Sequence, residues 1–268
     1  THLAVILDKS SQSFRNEIYD QYKANRPPPP EDLVPQFPLI RDATRAFSLP
    51  CIEEPDVEAD DIIASYAREA QRQGWHVTIV SSDKDLMQLV DDRVTMLDAM
   101  KNRVIGHEQV INKFGVGPEK VVDVQALAGD PSDNVPGVEG IGVKTAAQLI
   151  NEYGDLDTLL DRAEEIKQPK RRERLMTQAN MARISRDLVT LKDDVPVEQS
   201  IDDFAVKPPD ADVLMSFLQE QGFRSLVISV GARLGGDAPA GASVYTPPES
   251  TEYELVQALD GLKAWISR

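Results

Sequence analysis

The chain has 268 residues, 41% of them hydrophobic, and its 45 acidic against 29 basic residues give a formal net charge of −16. That composition supports a real core and excludes global disorder, while a single cysteine, Cys51, excludes an internal disulfide and favours a reducing, cytoplasmic setting. No apolar run reaches the roughly 18 residues of a membrane span, and the overall acidity argues against a nucleic-acid partner, since phosphate binding normally rests on lysine and arginine.

The first third of the chain alternates between strand and helix signals, which predicts an α/β fold with a parallel sheet. A mixed segment, Phe14–Asn25, ends at the stiff run Pro27–Pro30. The predicted elements in this part are a strand at Leu3–Leu7, helices at Leu33–Phe47 and Asp60–Gln73, a strand at His76–Val80, a helix at Asp85–Val90, and a strand pair at Val94–Leu97 and Arg103–Ile105.

After residue 106 the pattern is helical to about Leu191, starting with helices at Glu108–Phe114 and Glu119–Ala128. Ser225–Val230 is predicted as a late strand. Residues 231–250 are rich in Gly, Pro, Ala and Ser, which predicts a flexible linker. An amphipathic helix at Tyr253–Ile266 then reads as the start of a further domain, and the opening Thr1, without an initiator Met, suggests a fragment.

The charge is unevenly spread along the chain. Six of the nine residues in EEPDVEADD (53–61) are acidic, whereas the stretch from Arg162 to Lys192 holds nine basic and four acidic residues. For a charged helix, a solvated face with Glu–Arg pairs is the more common explanation. A smaller basic group lies near the start, at Arg15, Lys23 and Arg26.

Three acidic clusters indicate a metal site. Asp8 follows the first predicted strand, and Asp83 and Asp85 follow the strand at His76–Val80, so both groups lie at carboxyl ends of strands, where open α/β sheets bind ligands. An extended backbone would point Asp83 and Asp85 to one side. The third cluster opens the helix after residue 58 and comprises Glu58, Asp60 and Asp61.

Each carboxylate taken alone has a simpler explanation, because acids at a helix start cap it and complement its dipole. Three clusters converging on one crevice weaken that explanation, since so many close carboxylates repel unless cations neutralise them. Oxygen-only ligands select Mg²⁺ or Mn²⁺. The three histidines show no metal-ligand spacing.

The most specific stretch is GDPSDNVPGVEGIGVKTAAQLI (129–150), which predicts a glycine hairpin followed by a helix. Gly140 and Gly142 allow close approach of the backbone to a partner and tolerate positive φ. The free N–H groups of the following helix favour a phosphate, with Lys144 adding charge and Thr145 a hydroxyl. Such a site would bind DNA backbone without reading its sequence. A plain helix–turn–helix is the alternative.

Four segments together resemble the flap endonuclease/5′–3′ exonuclease family, in the form of the 5′-nuclease domain of bacterial DNA polymerase I. They are VILDKSSQSFRNEIYDQYKANRPPPP, VEADDIIASYA, VSSDKDLMQLV and the hairpin stretch, and the resemblance runs from about residue 2 to 230. It implies a PIN-like α/β core (1–105) with a helical arch, and a helix–three-turn–helix DNA-binding subdomain (106–230). The tail from residue 251 resembles the start of a proofreading-type exonuclease domain.

The resemblance implies two-metal hydrolysis of DNA phosphodiesters at 5′ flaps, nicks or primer junctions in replication and repair, within a nucleoid-associated polymerase. It implies catalytic contacts to the scissile phosphate from Lys23 and Arg26, and DNA contacts from Arg15, Tyr22, Gly140, Gly142, Lys144 and Thr145, with a K⁺ ion held at the hairpin. The metal ligands it implies, direct or through water, are Asp8, Glu58, Asp60, Asp61, Asp83, Asp85, Asp130 and Asp133.

One departure from the family is large. Members begin with roughly sixty additional residues that carry a central strand, a first ligand Asp and a basic residue, and a sheet lacking such a strand exposes unpaired edges. The alternative function is therefore a DNA-binding module without catalysis. A PIN-type ribonuclease is a third hypothesis, against which the arch and the hairpin argue.

Overall fold

The computed structural model describes residues 1–234, which divide into a unit of residues 1–210 and a second unit that begins at Ala211. The first unit opens with strand β1 (Val5–Ile6), helix α1 (Arg15–Ile18), helix α2 (Gln36–Ala46), strand β2 (Cys51–Ile52) and helix α3 (Ala59–Arg72). Strand β3 (Val77–Val80), a 3₁₀ helix at Asp85–Leu89, and strands β4 (Val94–Asp98) and β5 (Arg103–Ile105) follow.

The rest of the first unit is helical, as the sequence predicts. Its helices are α4 (His107–Phe114), α5 (Val121–Ala128), α6 (Val143–Tyr153), α7 (Leu156–Asp161), α8 (Pro169–Thr177) and α9 (Ala179–Val189), with short 3₁₀ turns at Pro118–Lys120, Ala163–Glu165 and Ile201–Phe204. None of the helices within residues 1–234 has the length and hydropathy of a bilayer-spanning segment.

The strands form two separate sheets in the part that the structure describes. β1 pairs in parallel with β2, while β3 pairs in parallel with β4, which pairs antiparallel with β5. β1 and β3 are not paired with each other, and they flank an apolar groove of about 490 Å³ whose floor includes Ile63, Tyr66 and Ala67 of α3. The predicted parallel α/β arrangement is confirmed, and β1 and β3 each keep one unpaired edge.

The cores reflect this organisation. The largest joins the β3–β4–β5 sheet to the helices that follow it, through buried side chains such as Met96, Leu127 and Ile150. A second lies between α3, β2 and the 3₁₀ turn at Ile201–Phe204. A third, small cluster packs Tyr22 against Val135 and the end of α9, so the segment after α1 is fixed to the loop that follows α5.

Three local predictions need correction. Residues 31–35 form turns, and α2 begins only at Gln36, after Pro35. Phe37 and Ile40 of this helix are exposed, although their helical spacing is typical of a buried face. Ser225–Val230 is not a strand, because it lies in helix α11 (Arg224–Arg233), which packs on α10 (Ala211–Glu220) within the second unit. The first residues of the expected linker, 231–233, are helical; its remainder and the helix expected at 253–266 lie outside the described residues.

Candidate metal centre and DNA-binding hairpin

Carboxylates from separate stretches of the chain meet in one cleft of about 120 Å³. Six of the eight predicted ligands line it: Asp8, Glu58, Asp60, Asp83, Asp85 and Asp133. Asp130 lies beside it, since carboxylate oxygens of Asp85, Asp130 and Asp133 are all within 4.8 Å of one another. The expected convergence of the acidic clusters is therefore present in the fold.

Local turns place these side chains. Asp8 follows β1 and accepts a hydrogen bond from the Ala59 N–H at the start of α3 (2.7 Å). Asp83 follows β3 and accepts from the Asp85 N–H (3.0 Å), so the chain turns here instead of staying extended as predicted. Asp85 then opens the 3₁₀ helix. The carboxyl ends of β1 and β3 thus deliver acids to the same cleft.

Basic side chains reach the same carboxylates. Lys23 Nζ lies 2.7 Å from Glu58 Oε1, and Arg26 Nη2 lies 2.5 Å from Asp133 Oδ1. Lys84 Nζ donates to Asp130 Oδ2 at 2.5 Å. These contacts offset part of the repulsion among the acids, and they place Lys23 and Arg26 beside the group of potential ligands.

The acids retain a strong mutual influence. Burial, with added repulsion from Asp83 and Asp85, raises the pKa of Asp60 to about 7. Burial also raises the pKa of Asp85 to about 6, although Lys84 opposes the shift. The pKa of Asp130 is lowered, because hydrogen bonds from Lys84 and Ser132 outweigh the effect of burial. Raised carboxyl pKa values mean that the cleft favours added positive charge, whether protons or metal ions.

The donors of this cleft fit a hard divalent ion. They are carboxylate oxygens, with no imidazole or thiolate in the cluster of potential ligands found among residues 1–234. Mg²⁺ and Mn²⁺ prefer such oxygen sets, whereas zinc sites draw on nitrogen and sulfur. The electrostatics agree, since a bound cation would relieve the repulsion from Asp83 and Asp85 that adds to the effect of burial on the pKa of Asp60.

An Asp60→Asn variant should remove a pH-dependent loss of stability. A carboxyl whose folded-state pKa lies above its ordinary value of 3.8 binds its proton more tightly when folded, so stability falls as pH rises from about 4 to 7. In buffer with a chelator, the free energy of unfolding of Asp60→Asn should therefore rise by on the order of 1–3 kcal/mol relative to that of wild type between about pH 4 and pH 7. Urea unfolding at both pH values measures this gain, with exposed Asp92→Asn as the control. A difference between Asp60→Asn and wild type that stays constant with pH would contradict the prediction.

The loop after α5 carries Asp130 and Asp133 and is closed by a tight backbone contact. A Cβ built on Gly137 would lie 2.4 Å from the Gly129 nitrogen, so this approach requires glycine. Asp130 and Val135 bridge the loop with two backbone hydrogen bonds (2.8 and 2.9 Å). The ligand-bearing loop thus has little freedom to move.

The predicted hairpin and helix follow this loop. Gly140 has φ +73°, as expected, whereas Gly142 has φ −93° and is the N-cap residue of α6. Lys144, in the first turn of α6, is exposed, and Thr145 is half-buried. The arrangement presents a helix N-terminus with an adjacent lysine, which is a favourable position for an anion.

Sequence comparisons agree with this architecture. The profile of the 5′–3′ exonuclease N-terminal resolvase-like domain matches residues 1–115, and that of the 5′–3′ exonuclease C-terminal SAM fold matches residues 116–212. A 5′–3′ exonuclease of Aquifex aeolicus is 38% identical over 229 residues, which cover 85% of this chain and 78% of that relative. The chain belongs to the 5′–3′ exonuclease family. The PIN-like α/β core and the helical region expected from the sequence are those of this family.

Two further proteins are similar to the chain, one in its sequence and one in its solved structure. DNA polymerase I of Rhizobium leguminosarum is 58% identical over 240 residues, which are 90% of this chain and 24% of that protein. The chain spans about a quarter of the length of the DNA polymerase I relatives that it matches. Among solved structures, the D15 flap endonuclease of bacteriophage T5, in a complex with DNA and metal ions, is 26% identical with a TM-score of 0.63 over 80% of both chains.

Arg15 does not have the DNA-binding position predicted from the exonuclease resemblance. Its side chain is 1% exposed, and its two terminal nitrogens donate to the two carboxylate oxygens of Asp61 at 2.7 Å each. Its other polar contacts are with the carbonyls of Leu188 and Thr190 and, at 3.5 Å, with Glu58 Oε2. Arg15 is therefore a structural residue that ties α3 to the end of α9.

The same pairing corrects the prediction for Asp61. Its carboxylate is fully buried and also accepts from the backbone N–H groups of Glu58 and Lys192. Because Arg15 and these donors occupy both oxygens, Asp61 is not available as a metal ligand. Glu58 and Asp61 instead form the capping box that begins α3, which is the simpler role considered for acids at a helix start.

Tyr22 is also buried, against its predicted role in DNA binding. It is 5% exposed, and its hydroxyl lies 3.1 Å from Glu58 Oε2 and 3.4 Å from Asp133 Oδ2. Tyr22 thus positions two cleft carboxylates and lines the cleft together with Lys23 and Arg26. The local chain is fixed by Lys23, whose N–H donates to the Asp133 carbonyl and whose φ is +56°.

Four of the nine basic residues between Arg162 and Lys192 form ion pairs. Arg162 binds Glu165, Arg174 binds Glu139, and both Arg183 and Arg186 lie close to Asp157. The solvated, ion-paired face is therefore the better description of these four arginines.

Sequence reasoning also missed two residues beside the acids, Lys84 and Gln125. Lys84 could have been found from its place between Asp83 and Asp85, and Gln125 as the only amide in the apolar run of α5.

Proposed function

We propose that the chain is a structure-selective 5′ nuclease that hydrolyses DNA phosphodiesters near 5′ ends, flaps or nicks by two-metal catalysis. The observation that carries this proposal is the single cleft where acids from four parts of the chain meet Lys23 and Arg26. Membership of the 5′–3′ exonuclease family and the DNA complex of the T5 relative support it.

The acids of the cleft would hold the metal ions. Asp85, Asp130 and Asp133 form the tightest group, and Asp8, Glu58, Asp60 and Asp83 line the same space. Bound Mg²⁺ or Mn²⁺ would supply Lewis-acid stabilisation of a phosphodiester and lower the pKa of water. The protein's own contribution is to fix the ligands through the Gly129–Gly137 contact and the Tyr22 hydrogen bonds.

Lys23 and Arg26 would act on the scissile phosphate. Lys23 is mostly buried at the cleft wall and Arg26 is half-exposed, so both can orient a phosphate while remaining within reach of the acids. Their positive charges would stabilise the negative charge that develops on the phosphate oxygens. In this role they orient substrate, and the carboxylates keep them in place.

The glycine hairpin would grip the DNA backbone away from the cut. Gly140, Gly142, Lys144 and Thr145 would bind phosphate without reading bases, and we extend the proposal to a K⁺ ion held at the hairpin backbone. Lys144→Ala should weaken DNA binding and reduce the slope of log K against log salt by about 0.9, the value for one phosphate contact. Fluorescence anisotropy over a salt series measures both. A loss of affinity with an unchanged slope would contradict this contact.

A cleavage assay with matched substrates tests the function. A 5′-flap duplex, a nicked duplex and an RNA strand of the same sequence are incubated with the chain and Mg²⁺, with and without chelator. Flap cleavage that requires Mg²⁺ and disappears in Asp83→Asn, but not in exposed Asp92→Asn, is the expected result. Binding without any cleavage would favour the DNA-binding module instead, which the unpaired edges of β1 and β3 give reason to test. Preference for RNA would favour a ribonuclease.

We further propose that the chain works within DNA polymerase I, in replication and repair and close to the nucleoid. The 58% identity to a DNA polymerase I supports this setting. In that arrangement, residues 1–105 are the nuclease core with its arch, 106–230 the DNA-binding subdomain, 231–250 a linker and 251–268 the start of a proofreading-type domain. The polymerase domains would then be its partners.

A further inference from the structure

Gln125 lies behind the acidic cleft, in the interior of the protein. It sits on α5 and is only 2% exposed, with the fully buried Val124, Ala126 and Leu127 beside it in the chain. Its Nε2 donates to Asp85 Oδ1 at 2.5 Å. Among the described residues, the Asp85 carboxylate forms one ion pair, with Lys84, whose ammonium is 3.9 Å away. Gln125 therefore makes the closest contact that fixes the orientation of Asp85.

The second amide atom of Gln125 shows that this residue is not there for packing. Its Oε1 is buried and is the only such side-chain nitrogen or oxygen without a hydrogen-bond partner among residues 1–234. An unpaired buried acceptor costs stability, and an apolar side chain of the same size would avoid that cost. Buried polar groups without a partner are rare in proteins and tend to occur at functional sites. The unpaired Oε1 next to the acidic cleft therefore indicates that Gln125 has a functional role.

We propose that Gln125 is a positioning residue that holds the Asp85 carboxylate toward Asp130 and Asp133 and thereby sets the affinity of this group for a divalent cation. The inference deepens the proposed nuclease function and rests on it for its role in DNA cleavage. Hydrogen bonds from such outer residues orient metal ligands, and their loss typically weakens metal binding about 10- to 100-fold. Asp85 without Gln125 would be free to rotate toward Lys84 and away from the other two acids.

Gln125→Met gives the direct test, because Met has a similar size and cannot donate a hydrogen bond. Calorimetric titration of the whole chain with Mn²⁺, in the absence of DNA, should show binding weakened about 10-fold or more. Thermal unfolding in chelator should show a midpoint close to that of wild type, because removal of the unpaired acceptor offsets the loss of the hydrogen bond to Asp85.

Val124→Ala is the matched control on the same helix. It creates a cavity beside Gln125, so it should lower the thermal midpoint while leaving Mn²⁺ affinity near the wild-type value. Wild-type Mn²⁺ affinity in Gln125→Met, or equal weakening in Val124→Ala, would overturn the inference. Absence of Mn²⁺ binding by the wild type would overturn it as well.

The outcomes separate this inference from the nuclease proposal. A wild-type chain that binds Mn²⁺ in a Gln125-dependent way but cuts no DNA would retain the positioning role and refute the nuclease. A chain that cuts flaps with the same Mg²⁺ dependence in wild type and Gln125→Met, and with equal Mn²⁺ affinities, would refute only the role of Gln125.

Discussion

A Lys23→Ala variant is expected to cleave a 5′-flap substrate about 10²- to 10³-fold more slowly than wild type under single-turnover conditions, as for other single electrostatic donors. Lys23 lies at the wall of the acidic cleft, 2.7 Å from Glu58 Oε1 and 3.6 Å from Asp133 Oδ2. Its ammonium would face the phosphate oxygens on which charge develops. The measurement is the rate of product formation at saturating enzyme and Mg²⁺.

In Lys23→Ala, the cleavage rate should fall while DNA affinity and the fold change little. Because Ala tolerates positive φ no worse than Lys does, the backbone at residue 23 should keep its conformation. Flap affinity should change much less than the rate, since the phosphate contacts proposed for the hairpin do not involve Lys23. Lys101→Ala is the control, because Lys101 is exposed and pairs only with Asp98 at the turn between β4 and β5. An unchanged single-turnover rate in Lys23→Ala would remove Lys23 from the mechanism.

Arg15→Met is expected to lower the free energy of unfolding by about 3–5 kcal/mol, the usual effect of removing one partner of a buried ion pair. Asp61 would be left as an unpaired, fully buried charge, and the carbonyls of Leu188 and Thr190 would lose their donors. Urea unfolding followed by circular dichroism measures the change at neutral pH.

Two comparisons make the Arg15 prediction specific. Arg162→Met removes a partner from the exposed Arg162–Glu165 pair and should cost no more than about 1 kcal/mol. The double variant Arg15→Met/Asp61→Leu should recover much of the lost stability, because it leaves no buried charge behind. Equal, small effects from Arg15→Met and Arg162→Met would show that the buried pair contributes little.

The fold was predictable where local signals agree with one another. Helix α3 has acids that cap it, apolar residues at helical spacing and a glycine after its end, and it forms within one residue of the predicted bounds. The strand predicted at Ser225–Val230 was wrong because a short apolar run with β-branched residues is compatible with a strand or a helix. Packing on α10 selects the helix. The extended backbone predicted at Asp83–Asp85 was wrong because the Asp83 side chain accepts a hydrogen bond from the N–H two residues later, which makes a turn.

The sequence predicts which acids lie at the candidate site, but not which of them are free to bind a metal and which are paired in the interior. Charge and spacing identify Asp8, Asp83 and Asp85, but sequence cannot tell a buried partner from an exposed ligand. Arg15 and Asp61 satisfy each other in the interior, which depends on the distant end of α9. Gln125 went unnoticed because its importance lies in a contact across 40 positions of sequence.

The contact between Gly129 and Gly137 has a consequence for where a strand would be cut. The loop that it closes carries Asp130 and Asp133, and the hairpin with Gly140 begins only three residues beyond it. The residues proposed to bind the DNA backbone and two of the proposed metal ligands, Asp130 and Asp133, therefore belong to one short stretch of chain. In the proposed nuclease, the length of this stretch would set the number of nucleotides between the phosphate that is held and the bond that is broken.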